Sequence, residues 1–281
     1  MNIVVASDEN YVRHLETLLV SIGDNNSDID VLKIYIFDGG IKKESLKAIK
    51  DYEKIYKNMK IFFYEMTEDK LLTLLGGVIE RDRSLSAYAR IFIPEIIEED
   101  RALYFDVDAI VLKNLNSLYN IDIEKYAIAG VRDTNPIERH RNVELKDTDE
   151  YINSGMILWN LKECRKINFT KLCLKFIEEH NGNVDAMDQG TINGVLGNKK
   201  LIKIIAPRYN TITSFYQIDS SMIKKIYKLP KYYSDSELQE AKSNPVYVHF
   251  TPNMTSRPWN EHCKHLECRC NLYRLRQNRY A

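Results

Sequence analysis

The sequence predicts an α/β fold with a mostly parallel sheet. Short β-branched apolar runs alternate with stretches in which apolar residues recur every three or four positions, the pattern of strands alternating with helices. The first run, NIVVA at 2–6, stands at the N-terminus, where the first strand of a nucleotide-binding sheet belongs. The chain has 281 residues, 44 % of them hydrophobic, enough to bury one sizeable core.

Taken in order, strand 2–6 leads into a helix with Val12, Leu15, Leu18, Leu19 and Ile22 on one face,. LKIYIF (32–37) is a strand closed by the turn pair Gly39-Gly40, 42–56 a charged amphipathic helix, and KIFFY (60–64) a third strand. SLSAYARIFI (84–93) reads as a helix ending before Pro94,. Further strands are expected at 102–105, 126–131, 154–160, 201–205 and 246–250, and helices at 169–179 and 188–196. A polar run, 135–150, is expected either to cover the site or to be a solvated loop.

Charge narrows the function. Forty basic and forty acidic residues balance, which argues against nucleic acid as the main partner. No stretch is long and apolar enough to span a membrane, and the start lacks the marks of a signal peptide,. Five cysteines with no export signal suggest reduced thiols and a cytoplasmic location,.

The most informative stretch is LYFDVDAIV at 103–111. If the strand runs on through it, Asp106 and Asp108 point the same way. Two carboxylates that close repel each other, and a hard divalent cation such as Mg²⁺ or Mn²⁺ resolves the conflict. Because Mg²⁺ fills its shell with phosphate oxygens, the pair suits a metal-diphosphate better than an all-protein cage. Haloacid-dehalogenase-type phosphatases also carry D-x-D after an apolar strand. There the motif opens the chain and Thr or Val stands four residues on; here it sits at 106 and the fourth residue is Ile110.

VVASDENY at the start, SAYARIFIP, LYFDVDAIV, YINSGMILWNLK, MDQGTIN and VHF followed by RPW occur in that order. Together they resemble family 8 glycosyltransferases, the retaining group that includes bacterial lipooligosaccharide α-galactosyltransferases and glycogenin. The resemblance spans 1–260 and implies a GT-A fold: a Rossmann-like, mostly parallel sheet with helices on both faces, followed by a small C-terminal extension. It implies a UDP-sugar donor, UDP-galactose or UDP-glucose, a glycan acceptor such as lipooligosaccharide or a glycoprotein glycan, and Mn²⁺ (or Mg²⁺). A sugar-nucleotide-binding protein without catalysis is the other reading of the same fold.

Carried over by position, the resemblance implies metal ligation by Asp106, Asp108 and His249. It implies donor binding by Ala6, Asp8, Asn10, Arg90, Asp106, Val107, Asp108, Asn153, Ser154, Asp188, Gln189 and Arg257, and acceptor contact by Asp133. Gln189 and Asp188 would be catalytic. Each has a plainer reading. Asp8 or Asn10 can cap a helix, as can Asp188; Arg90 can lie on a helix face beside Tyr88; Asn153-Ser154-Gly155 can be a turn; His249 can be a hydrogen-bonded core residue. HFTPNMTSRPW (249–259) departs from the family's usual His, short Gly-containing loop and Lys-Pro-Trp, with Arg257 in place of Lys.

From Asn260 the composition turns basic, aromatic and cysteine-rich. Residues 261–281 are expected either to cap the fold or to lie peripherally on an anionic membrane surface, at the inner face of the membrane. Cys263, Cys268, Cys270, His262 and His265 are of metal-ligating type, but their spacing matches no standard zinc pattern.

Overall fold

The computed structural model describes residues 1–77, 79, 85–251 and 257–259; the expectations for 261–281 and for the path of loop 252–256 lie outside them. Among the described residues there are ten strands: β1 (Asn2–Ser7), β2 (Leu32–Asp38), β3 (Met59–Glu65), β4 (Arg101–Phe105), β5 (Ala109–Val111), β6 (Ile128–Gly130), β7 (Met156–Asn160), β8 (Ile202–Ile204), β9 (Thr211–Ile212) and β10 (Tyr247–His249). Seven form one sheet in the order β3-β2-β1-β4-β7-β6-β8, and three form a small sheet, β5-β10-β9. In the large sheet only β7 runs antiparallel to its neighbours, β4 and β6.

Alternation along the strands builds a core on each face. Ile3, Val5, Leu103, Phe105, Met156 and Leu158 pack on one side with Leu15, Leu18 and Leu19 of the helix Val12–Asn25. Val4, Ala102, Tyr104, Ile157 and Trp159 pack on the other with Phe169, Cys173, Ile192 and Leu196 of the helices Phe169–Glu179 and Met187–Gly197. Helices therefore cover both faces. No helix among the described residues is long and apolar enough to cross a membrane.

Several expected elements differ. The helix at 42–56 is divided at Asp51 into Lys43–Lys50 and Tyr52–Ile55. The stretch expected as a helix at 84–93 is a 3-10 helix, Leu85–Phe92, and Pro94 opens the following helix Ile93–Ile96 rather than ending one. Proline's fixed φ and missing N–H are tolerated in a first turn. The polar run is no bare loop: it carries the helix Ile137–Asn142 and buries Ile137, Val143 and Leu145. Strand β7 begins at Met156, so Asn153–Gly155 precede it as a turn.

The chain lays β2 and β3 to one side of β1, then returns to place β4 on the other. This reversal opens a crevice at the carboxyl ends of β1 and β4, where ligands of open α/β sheets bind.

Trp159, fully buried on β7, meets Phe169 edge-on with ring centroids 5.3 Å apart, and its indole N–H has no hydrogen-bond partner among the described residues. Trp159→Ala is expected to cost about 3–5 kcal/mol in denaturant unfolding. Trp159→Phe should cost markedly less, because it keeps a ring and removes the unpaired donor.

Candidate active site

The two aspartates converge, though not as a continuing strand would place them. Strand β4 stops at Phe105, a bend covers Asp106–Asp108, and β5 starts at Ala109. The bend is held by its backbone: Asp106 N–H donates to Gly155 O (2.8 Å) and Phe250 N–H to Asp108 O (2.9 Å). The Tyr247 hydroxyl donates to Asp106 O (3.0 Å) and Gly155 O (2.9 Å). The antiparallel pairing of β10 with β5 puts His249 opposite Ala109. Its Nε2 lies 3.1 Å from Asp108 Oδ1 and 3.7 Å from Asp106 Oδ2.

One ligand atom from each of Asp106, Asp108 and His249 lies within 4.8 Å of the others. Two carboxylate oxygens and an imidazole nitrogen suit Mn²⁺ or Mg²⁺, and the open side leaves room for substrate oxygens. Burial pulls the His249 imidazole down, but Asp108 and Asp106 outweigh it and hold its pKa above the ordinary value. Burial pushes Asp108 up, yet His249 and Arg257 beside it hold its carboxyl below the usual range.

Arg90 is not a surface residue of its helix. It is 5 % exposed and bridges two carboxylates, Nη2 to Asp106 Oδ1 (2.9 Å) and Nε to Asp188 Oδ2 (3.0 Å). Its Nη1 donates to Ser154 O (2.7 Å) and Oγ (3.0 Å), and its guanidinium lies 4.4 Å from the Tyr104 ring centroid. The Tyr104 hydroxyl donates to the same Asp106 oxygen (2.9 Å). Asp188 does not cap its helix; Ala186 stands at that position, in left-handed backbone. Burial pushes the Asp188 carboxyl up to about 6 while Arg90 pulls against it.

The turn before β7 connects these groups to a second network. Gln189 Oε1 accepts from Ser154 N–H (2.9 Å), and Gln189 Nε2 donates to Asp133 Oδ2 (2.8 Å). Asn153 Oδ1 accepts from Gly155 N–H (3.1 Å) and lies 3.2 Å from His249 Nδ1. The glycine is required: a Cβ at Gly155 would stand 2.1 Å from His249 Cε1 and 2.8 Å from Asp106 Oδ2.

Beside the cluster, Ala6, Ser7, Asp8, Tyr11, Arg90 and Val107 are among the residues lining an open cleft. Asp8 is the cap here, its Oδ1 accepting from Asn10 N–H (2.8 Å) and Tyr11 N–H (3.2 Å). Asn10 is exposed and does not line the cleft. Arg257 reaches Asp108 Oδ2 (3.2 Å) and donates to the Tyr11 hydroxyl (3.1 Å). Sequence reasoning missed Tyr104, Tyr247 and Gly155. Tyr104 lies two residues before Asp106 in the same alternation, which is the signal that would have found it; Tyr247 and Gly155 act through contacts made only on folding.

The family described as glycosyl transferase family 8 matches residues 2–263. The chain is 30 % identical over 271 residues to General stress protein A of Bacillus subtilis, spanning 94 % of this chain and 89 % of that protein. It is 26 % identical to Glycosyltransferase GlyA of Streptococcus pneumoniae over 92 % of this chain, but 32 % of that longer protein. Its fold is similar to the crystal structure of the galactosyltransferase LgtC in complex with donor and acceptor sugar analogs, with a TM-score of 0.77 at 19 % identity, over 99 % of this chain and 95 % of that one. That structure has the GT-A fold, and this chain shares it.

Removing Arg90 should leave two carboxylates without their cation. Arg90→Met is expected to destabilise by about 3–5 kcal/mol at neutral pH. Asp188 has a folded pKa above its unfolded one, so its contribution to stability is largest at low pH and is lost as pH rises through the folded value. With Arg90 gone that value rises further, and the deficit measured by urea unfolding should shrink from pH 7.5 to pH 5.

Proposed function

The chain belongs to glycosyl transferase family 8, and from that membership we propose a metal-dependent retaining hexosyltransferase. It moves galactose or glucose from a UDP-sugar to a hydroxyl of a glycan acceptor such as lipooligosaccharide or a glycoprotein glycan. The observation that carries this reading is the convergence of Asp106, Asp108 and His249 beside the crevice between β1 and β4. The phosphatase alternative has no support in the family match.

In this reading Asp106, Asp108 and His249 hold Mn²⁺ or Mg²⁺. A bound divalent ion supplies Lewis-acid neutralisation of the departing diphosphate. Arg257, at the mouth beside Asp108, adds a guanidinium for phosphate oxygens. Ala6 and Asp8 line the nucleotide side. Arg90, already shared between Asp106 and Asp188, acts chiefly by fixing Asp106 and only secondarily as charge for the donor.

The bond broken joins an anomeric carbon to a phosphate oxygen, and its leaving group needs no protonating acid. The acceptor hydroxyl approaches on the leaving-group face and passes its proton to a diphosphate oxygen. The Gln189 carbonyl oxygen, oriented by Ser154 N–H, supports positive charge developing on the sugar. Asp188 is ill placed as a nucleophile, because it is buried and ion-paired with Arg90. Asp133, hydrogen-bonded to Gln189, is the contact proposed for the acceptor.

UDP release from UDP-galactose, UDP-glucose and UDP-N-acetylglucosamine, with Mn²⁺ or with chelator, tests the reading. We expect turnover with one of the hexoses in Mn²⁺ and none with chelator. Asp108→Asn should lower turnover by about a hundredfold or more, the scale of losing a charge-stabilising group. Gln189→Ala should lower turnover without abolishing it, and Asp188→Asn should yield no trapped glycosyl-peptide. A covalent sugar on Asp188 in the native protein would overturn the front-side mechanism.

A further inference from the structure

We propose that Asn210, outside every motif above, is a positioning residue that aims the His249 imidazole at the Asp106 and Asp108 carboxylates, acting through Asn153. The proposal rests on the metal-dependent reading of this site and deepens it.

Asn210 is fully buried, between the short helix Pro207–Tyr209 and strand β9. Its Nδ2 donates to Asn153 Oδ1 at 2.9 Å across 57 residues of sequence. That same oxygen faces Gly155 N–H and His249 Nδ1. The other end of the Asn153 amide, Nδ2, faces acceptors: Asp133 Oδ1 (3.3 Å) and Gln189 Oε1 (3.4 Å). Turning that amide over would set oxygen against oxygen on one side and N–H against N–H on the other. Its orientation is therefore determined from both ends.

The consequence falls on the imidazole. An amide oxygen accepts and cannot donate, so Nδ1 must carry the proton, and in the neutral ring Nε2 holds its lone pair toward Asp106 and Asp108. Parallel pairing of β9 with β10 sets Ile212 opposite His249, so Asn210, one residue ahead of β9, lies beside the strand that carries the ring. Asn210 also bears a cost. Its own Oδ1 is buried with no hydrogen-bond partner among the described residues, an unfavourable state for a carbonyl. Turning Asn210 over would oppose its oxygen to Asn153 Oδ1, so the unpaired carbonyl is the consequence of presenting Nδ2 to Asn153.

Two readouts test this without sugar transfer. Nitrogen NMR of the Mg²⁺-loaded full chain should show His249 with Nδ1 protonated and Nε2 bare. Asn210→Ala and Asn210→Asp should each weaken Mn²⁺ binding about ten- to a hundredfold, the range for residues that orient a metal ligand, measured by calorimetry with Mn²⁺ alone. Asn210→Ala should melt close to the native protein, since it removes the unpaired carbonyl together with the donor. Protonated Nε2 in the Mg²⁺-loaded native protein overturns the proposal even if neither variant folds. Native and variant chains binding Mn²⁺ equally overturn it alone; a native chain that takes up no Mn²⁺ overturns the metal-dependent reading, and this inference with it.

Discussion

The constraint on which the site depends is electrostatic. Asp106, Asp108 and Asp188 lie near one another, and they stay together because two guanidinium groups and an imidazole interleave them. Arg90 joins Asp106 to Asp188, His249 lies against Asp108 and Asp106, and Arg257 closes on Asp108. Each carboxylate would otherwise face the cost of burying charge beside like charge. Burial alone would depress the His249 pKa, yet it stands above the ordinary value. The proposed function rests on the convergence of Asp106, Asp108 and His249 within this cluster.

The fold supplies this arrangement by joining two sheets. The large sheet delivers Asp106 at the carboxyl end of β4 and Ser154 just ahead of β7, two neighbouring strands. The small sheet delivers His249 on β10 and Asn210 just ahead of β9. The bend at Asp106–Asp108 is the passage from one sheet to the other. Gly155 lets them approach, because any side chain there would occupy the space of the His249 ring. Asn153 then links the imidazole to Gln189 and Asp133, so the cation side and the sugar side of the site are set by one hydrogen-bonded turn.

Strands 2–6, 32–37 and 102–105 are legible because burial on both faces leaves a nearly continuous apolar run, and 60–64, at the sheet edge, because it is rich in β-branched and aromatic residues; each lies within the strand observed there. Strands β5 and β9, three and two residues long, carry too little sequence to show a period. Pro94 misleads for a local reason: proline reads as a stop, while its effect depends on whether it falls in the first turn or beyond it,. The aspartate pair suggests a continuous strand, but a bend between β4 and β5 brings the two carboxylates to one imidazole.

By itself the sequence determined the alternating α/β pattern, the apolar faces of the strands and the order of motifs that marks the family, because each is written in neighbouring residues or in periods of two and three to four. Only the tertiary structure decided which groups meet. Arg90 and Asp106 are 16 residues apart, Ser154 and Asp188 34, Asn153 and Asn210 57, and Asn153 and His249 96. Hydrogen bonds and ion pairs act over about three ångströms whatever the separation along the chain. No local pattern encodes such a contact; it exists once strand order and sheet packing have brought the distant segments together.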